Sequence, residues 1–278
     1  MTLSLDGIDL VPAGGEEAFR SLAAVADRLY RAGDPRAAFA EIYGVITREV
    51  AAELASPTCG FLEPDTEREV MAVFCARYFD TLVWSLEGRP QDCQAWQVAY
   101  QAAARRSTIP FQDVVLGLQA HINYDLAIGI ARVLAARGAR GDQQALARFK
   151  HDHDHLNVIL RGSMGECFER LCTRHGCRFS GVLWQRPQPV TARLVLSVLT
   201  SWRERVWTDV LRLLEADREE ERRAIIAAMD RRSGRIARAV VAPSAAYVTG
   251  ERLLPRRLAS AIRATWLADR DPTAYLSL

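Results

Sequence analysis

A chain of 278 residues is long enough to bury a sizeable core, and with 49% apolar and 25% charged residues it reads as folded rather than disordered. Its formal net charge of +2, with arginines scattered among acids, offers no basic stripe for nucleic acid. No run reaches about 18 uninterrupted apolar residues, which argues against a membrane-spanning helix, and MTLSLDGIDLVPAGGEE at the start has neither the basic nor the apolar region of a secretory signal, so a cytoplasmic protein is expected.

Taken in chain order, apolar residues at steps of three and four predict a helix over 16–32, stopped by Gly33. Asp34 before Pro35 reads as an N-cap and first helical position, opening a second helix that runs to about Leu54, where SPTCG breaks it. A third helix begins near Asp65 and carries REVMAVFCARYFDTLVWSL to Gly88, too densely apolar for a surface helix. DCQAWQVAYQAAARR forms a shorter fourth, and a fifth runs from Pro110 to the glycines of AARGARG. The next starts around Asp142 and continues toward His175 and Gly176. RFSGVLWQRPQP reads as an extended connection and the best boundary, separating a helical core over residues 1–180 from C-terminal helices over 181–278 packed on it. Only AAYVTG carries a weak strand signal, so the expected fold is an all-α, multi-helix bundle forming a single large domain.

The six cysteines form no CxxC pair and are expected to be free thiols. Lys150 is the only lysine, so a Schiff-base enzyme would have to use it. There is no GxSxG, P-loop or dinucleotide fingerprint.

The chemistry concentrates in two stretches. In AHINYDL, His121 and Asp125 stand four apart in one of the most apolar regions of the chain, in a helical column with Gly117 and Gly129 that leaves room for an ion or a substrate atom. One turn apart, an imidazole nitrogen and a carboxylate can reach a common ion, or they can simply bond each other and hold a helix crossing. HDHDHLN, residues 151–157, is the densest cluster of ligand-type side chains. His151 and His155 share a helical face, and Asp152 and His155 share a stripe with Leu156, Ile159 and Leu160. Asp152 and His155 are therefore expected to point inward, with His151 on the surface. Tyr43 and Thr47, one turn apart on the second helix, are candidates to line the same pocket. Arg203, one turn before Trp207, suits guanidinium stacking on indole at the surface.

These motifs carry a resemblance. LGLQAHINYDLAIGI looks like the AHIN-x-DL signature of the uncharacterised family catalogued as domain of unknown function 5995, and DHDHLNVIL is similar to its second motif. GDPRAAFAEIYGVIT, ARYFDTL and SWRERVW resemble its early and late segments, so the likeness covers most of the chain. The resemblance implies a helical fold, with His121, Asn123, Asp125, Asp152 and Asn157 at the family's characteristic polar positions. His153 stands where an aromatic residue is common, and Gln119 where asparagine is more usual.

Together these readings lead us to expect a metal-dependent hydrolase or a lyase or cyclase, acting on a small, largely apolar substrate, in bacterial specialised metabolism. His121, Asp125, Asp152 and His155 would ligate zinc, iron or manganese, with magnesium less favoured. Asp152, His155 and Asn157 would be catalytic, and Asn123, Tyr43, Thr47 and His153 would face the substrate. The partner expected is a small molecule, with no nucleic acid and no membrane span. Two alternatives stand beside this: an isoprenoid-like cyclase, against which the lack of a DDxxD run counts, and a non-catalytic helical binding module with a structural His–Asp pair.

Overall fold

Proline in the first turn or a capping carboxylate sets three of the helix starts. The computed structural model describes residues 3–185, 188–255 and 257, and every regular element among them is helical. In order these are α1 (Gly15–Arg31), α2 (Ala37–Ala55), α3 (Pro64–Leu86), α4 (Gln94–Arg105), α5 (Pro110–Ala120), a π-helical turn (His121–Leu126), α6 (Ala127–Ala136), α7 (Gln143–Thr173), α8 (Arg178–Gln185), α9 (Gln188–Glu215), α10 (Glu219–Val241) and α11 (Ser244–Leu253). Pro64 and Pro110 sit in the first turns of α3 and α5, where a missing amide hydrogen is harmless. The Asp142 side chain caps α7 by accepting from the amides of Gln144 and Ala145. Asp34 instead binds Arg36 through its amide and guanidinium, so the turn runs on through Pro35 and Arg36 and α2 begins at Ala37.

α5, the π turn and α6 form one continuous central helix, Pro110–Ala136. By length and composition this helix qualifies to cross a membrane, yet 83% of its most apolar window is buried inside the protein, as in a core helix. α3, α9 and α10 pack around the π turn, while α2 crosses α5 and α7. α9 also packs on α6 and α7, and α10 on α4 and α5, so the C-terminal helices close the core built by the first 180 residues. The largest fully buried side chains, Trp96, Tyr78, Phe79 and Phe149, come from α3, α4 and α7. All six cysteines are free thiols.

Three local expectations change. AAYVTG lies within α11, because its small residues and β-branched pair are on a short helix rather than an alternating strand. RFSGVLWQ is the helix α8 instead of an extended connection; the rest of the expected boundary, residues 186–187, and the chain from 258 onward lie outside the described residues. The space beside Gly117 is not open to an ion or a substrate atom: a methyl group there would sit 2.3 Å from the Phe39 ring, which fills it, and Gly129 faces Val73.

Candidate active site

The motif HINYDL is the π turn, its six residues all buried. A π turn inserts an extra residue into an α-helix, breaks the i→i−4 ladder and is frequent at functional sites. Here it presents His121 and Asp125 toward α3 and α4. Asp125 Oδ1 accepts Arg77 Nε at 3.0 Å, while Oδ2 accepts the Trp96 indole at 2.7 Å and meets His121 Nδ1 at 3.1 Å. Arg77 also pairs with Asp92. With both carboxylate oxygens acting as acceptors, the imidazole proton belongs on Nδ1, so Nε2 carries the lone pair. Burial holds the His121 pKa below the ordinary imidazole value, outweighing the pull of Asp125, so the ring is neutral at pH 7.

His121 Nε2 is buried and has no hydrogen-bond partner among the described residues. The ring is held on its face and edge by aromatics. Phe74 stacks on it at 3.3 Å between centroids and 7° between planes, and Tyr43 meets it edge-on at 4.8 Å. These aromatics orient the ring but give Nε2 no donor.

His121 lines a cavity of about 90 Å³ between α2, α3, the central helix, α7 and α9. Its wall is apolar, from Ile46 and Val50 on α2, Val70 and Met71 on α3, Leu118 and Ile122 on the central helix, and Leu156 and Leu160 on α7. Polar groups are few: His121, Tyr43, Thr47, Glu67 and Arg203. Glu67 Oε2 and Arg203 Nε are buried without a hydrogen-bond partner among the described residues, and the buried Tyr43 hydroxyl has Thr47 and Cys75 beside it. Burial raises the Glu67 pKa to about 7, with Arg203 opposing and Asp152 reinforcing the shift, and it lowers the Arg203 pKa to about 10. Burial likewise keeps the Tyr43 phenol protonated. An apolar cavity with a few convergent unpartnered polar groups and perturbed carboxyls is the usual form of a small-molecule site.

Of the residues expected at the site, His121, Tyr43 and Thr47 line this cavity, and Asp125 stands behind His121. The others do not join them. Asp152 points inward and is fully buried, but its oxygens accept the amides of Leu62 and Glu63 at 2.6 Å each, holding the entrance to α3. His155 pairs with Glu53 at 3.1 Å, beside Phe61 and Gly60. His153 is buried with its Nε2 donating to the Arg203 carbonyl at 3.0 Å, while Arg203 Nη2 donates to the His153 carbonyl. Burial and the neighbouring Arg203 keep that imidazole neutral. Asn123 and Asn157 are not part of the cavity wall, and Asn123 is buried on the π turn. The catalytic roles expected for Asp152, His155 and Asn157 thus find no common site.

The expected metal centre is not assembled either. Among the described residues, no three of His, Cys, Asp and Glu converge so as to hold an ion. Asp125 accepts from Arg77, Trp96 and His121, and Asp152 accepts from two backbone amides, so both carboxylates are engaged by donors of the protein itself.

Sequence reasoning missed Glu67 entirely and put Arg203 on the surface, where it is instead 5% exposed. Both carry a legible signal. Glu67 shares a helical stripe with Val70, Met71 and Phe74, and Arg203 shares one with Leu199, Val206 and Val210. An ionisable residue within an apolar stripe has to be desolvated.

The pattern of a family of unknown function, DUF5995, matches residues 16–243. The chain belongs to that family. No curated protein and no solved structure matches it. The DUF5995 match runs from α1 to the end of α10 and so includes every residue of the cavity wall together with Arg77, Trp96 and Asp125.

Proposed function

We propose that this DUF5995 protein is an enzyme that moves a proton on a small, largely apolar substrate held in the cavity, with His121 as the general base. The observation that supports this reading is the lone pair of His121 Nε2, buried beside an apolar cavity while its Nδ1–H is fixed by Asp125 and, through it, by Arg77 and Trp96. A carboxylate behind an imidazole selects the tautomer and stabilises the imidazolium that forms when the outer nitrogen takes a proton.

In the reaction, Nε2 takes a proton from a carbon next to a carbonyl. The electron pair of that C–H bond passes into the carbonyl as an enolate. Return of the proton at another position gives an isomerisation, and expulsion of a leaving group gives a lyase reaction. Water is poorly accommodated by so apolar a wall, which favours these outcomes over hydrolysis. Because the imidazole must be neutral to act, the rate is expected to fall as pH drops through the depressed His121 pKa.

The test does not require the natural substrate. The protein is incubated in D₂O with a panel of short ketones, aldehydes and keto acids, and loss of α-protons is followed by ¹H NMR. Exchange above the buffer rate is expected for at least one compound, falling by about 10²-fold or more in His121→Gln and by a similar factor in Asp125→Asn. Exchange equal in wild type and His121→Gln across the panel would overturn the base assignment. Binding of panel compounds without exchange would leave the cavity as the ligand site of a binding protein, with Nε2 accepting a hydrogen bond from its guest.

A further inference from the structure

The polar groups of the cavity fall at two ends. Glu67 and Phe74, both on α3 and both lining the cavity, are seven residues apart, about 10 Å along a helix axis. His121 lies against Phe74, at one end. Arg203 interacts electrostatically with Glu67, at the other. Between them the α3 wall consists of Val70 and Met71, faced by Leu156 and Leu160 of α7.

Arg203 is an unusual component of such a wall. Its guanidinium is buried, its Nε–H has no acceptor, and among the described residues no carboxylate lies within ion-pair distance of it. Its reciprocal bonds with His153 fix where the side chain stands without neutralising it, since the partner is a backbone carbonyl. Glu67, Asp154 and Glu204 act on it only from beyond ion-pair distance, so this buried cation is incompletely compensated and an anion joining it would stabilise it.

We propose that the substrate is a short-chain oxo-monocarboxylate whose carboxylate binds at Arg203 and Glu67 while its chain runs past Val70 and Met71 and brings the carbon next to its ketone to His121. This rests on the cavity being the substrate site. The carboxylate accepts from Arg203, and a protonated Glu67 supplies a second donor to it. A chain of about three to four carbons suits the space, since about 90 Å³ is smaller than the dry apolar cavity of about 150 Å³ that holds a benzene molecule. The arrangement also divides the work: one end holds the anion and the other takes the proton, so binding energy gained at Arg203 positions the carbon near Nε2.

Glu67 faces Arg203 from α9 and Asp152 from α7, and Arg203 itself also feels Asp154 and Glu204. When Glu67 ionises, it competes with the guest for Arg203 and repels it. Carboxylate affinity is therefore expected to weaken as pH rises through about 7, the value to which burial raises Glu67.

The experiment is calorimetric titration of the full chain with the unreactive analogues butanoate, butanamide and 1-butanol between pH 6 and 8.5. Butanoate is expected to bind at least tenfold more tightly than butanamide at pH 6. Arg203→Met is expected to erase that preference, and Glu67→Gln to keep it while removing the pH dependence. The Glu67→Gln measurement stands even where Arg203→Met fails to fold. Equal binding of butanoate and butanamide, binding of butanol alone, or no binding of butanoate would overturn the proposal. In those cases proton exchange from a neutral ketone, lost in His121→Gln, would still support His121 as the base, so failure of the two readings is separable.

Discussion

HINYDL of the π turn and HDHDHLN of α7 both pair histidine with a carboxylate within a helical turn, and as strings they promise the same chemistry. Their carboxylates meet different partners. Asp125 receives three side chains, from α3, α4 and its own helix, and the result is a histidine whose outer nitrogen is left free. Asp152 receives two backbone amides at the entrance to α3 and meets the exposed His151, while His155 is satisfied by Glu53 and His153 by the Arg203 carbonyl. A cluster of polar residues becomes a site where its hydrogen-bonding capacity is left incomplete inside a cavity, and it becomes an architectural joint where that capacity is used up. The α7 segment still serves the site indirectly. Asp152 holds the helix that carries Glu67, His153 holds Arg203, and Leu156 and Leu160 form cavity wall.

The strongest way to break this comparison is Asp125→Ala. It leaves Arg77 and the Trp96 indole without their buried acceptor, and a loss of about 3–5 kcal/mol in urea unfolding is expected. A loss below about 1 kcal/mol would mean that the network around the π turn contributes little. Next comes Glu67→Gln. Between pH 4.5, the ordinary carboxyl value, and about 7 the unfolded chain releases a proton that native Glu67 retains. The native state then binds more protons, so stability declines as pH rises through that window, by about 3 kcal/mol in all. The glutamine variant should lack this decline and be the more stable protein at pH 8, read from unfolding curves at each pH.

Asp152→Ala sharpens the other side of the comparison. With two amides at the head of α3 unpaired, a loss of about 2 kcal/mol is expected, together with faster hydrogen exchange at Leu62 and Glu63. Unchanged exchange at those amides would count against the joint. The smallest effect is expected from His155→Ala. Its pair with Glu53 is partly exposed, so a change of less than about 1 kcal/mol should be seen, with proton exchange on the ketone panel unaltered. If His155→Ala abolished that exchange as His121→Gln is expected to, the division of roles between the two segments would fail.

Much of the fold was legible because its determinants are local. Apolar periodicity located the helices, Pro64 and Pro110 fall in first turns, and Asp142 caps α7 through its own neighbours. AAYVTG misled because a short helix with two β-branched residues offers little periodicity to read. The closeness of His121 and Asp125 was legible too, since a step of four residues brings such side chains together within one helix, but that they bond each other rather than reach for an ion is a matter of what surrounds them. The π turn itself was not. Its extra residue is accommodated by packing against α3, α9 and α10, for which HINYDL carries no local mark.

Local sequence was enough to make the chain helical, to set where most helices begin and end, and to stand His121 and Asp125 one turn apart, within reach of each other or of a shared ion. Only the tertiary structure decided which polar groups are spent and which are spare. Arg77 and Trp96 reach Asp125 from two other helices, backbone amides claim Asp152, and Glu67 and Arg203 come to one cavity from α3 and α9. The physical reason is that backbone preference and one-turn neighbours act over a few residues, whereas desolvation, and with it the protonation of Glu67 and His121, depends on what all the surrounding helices bury together.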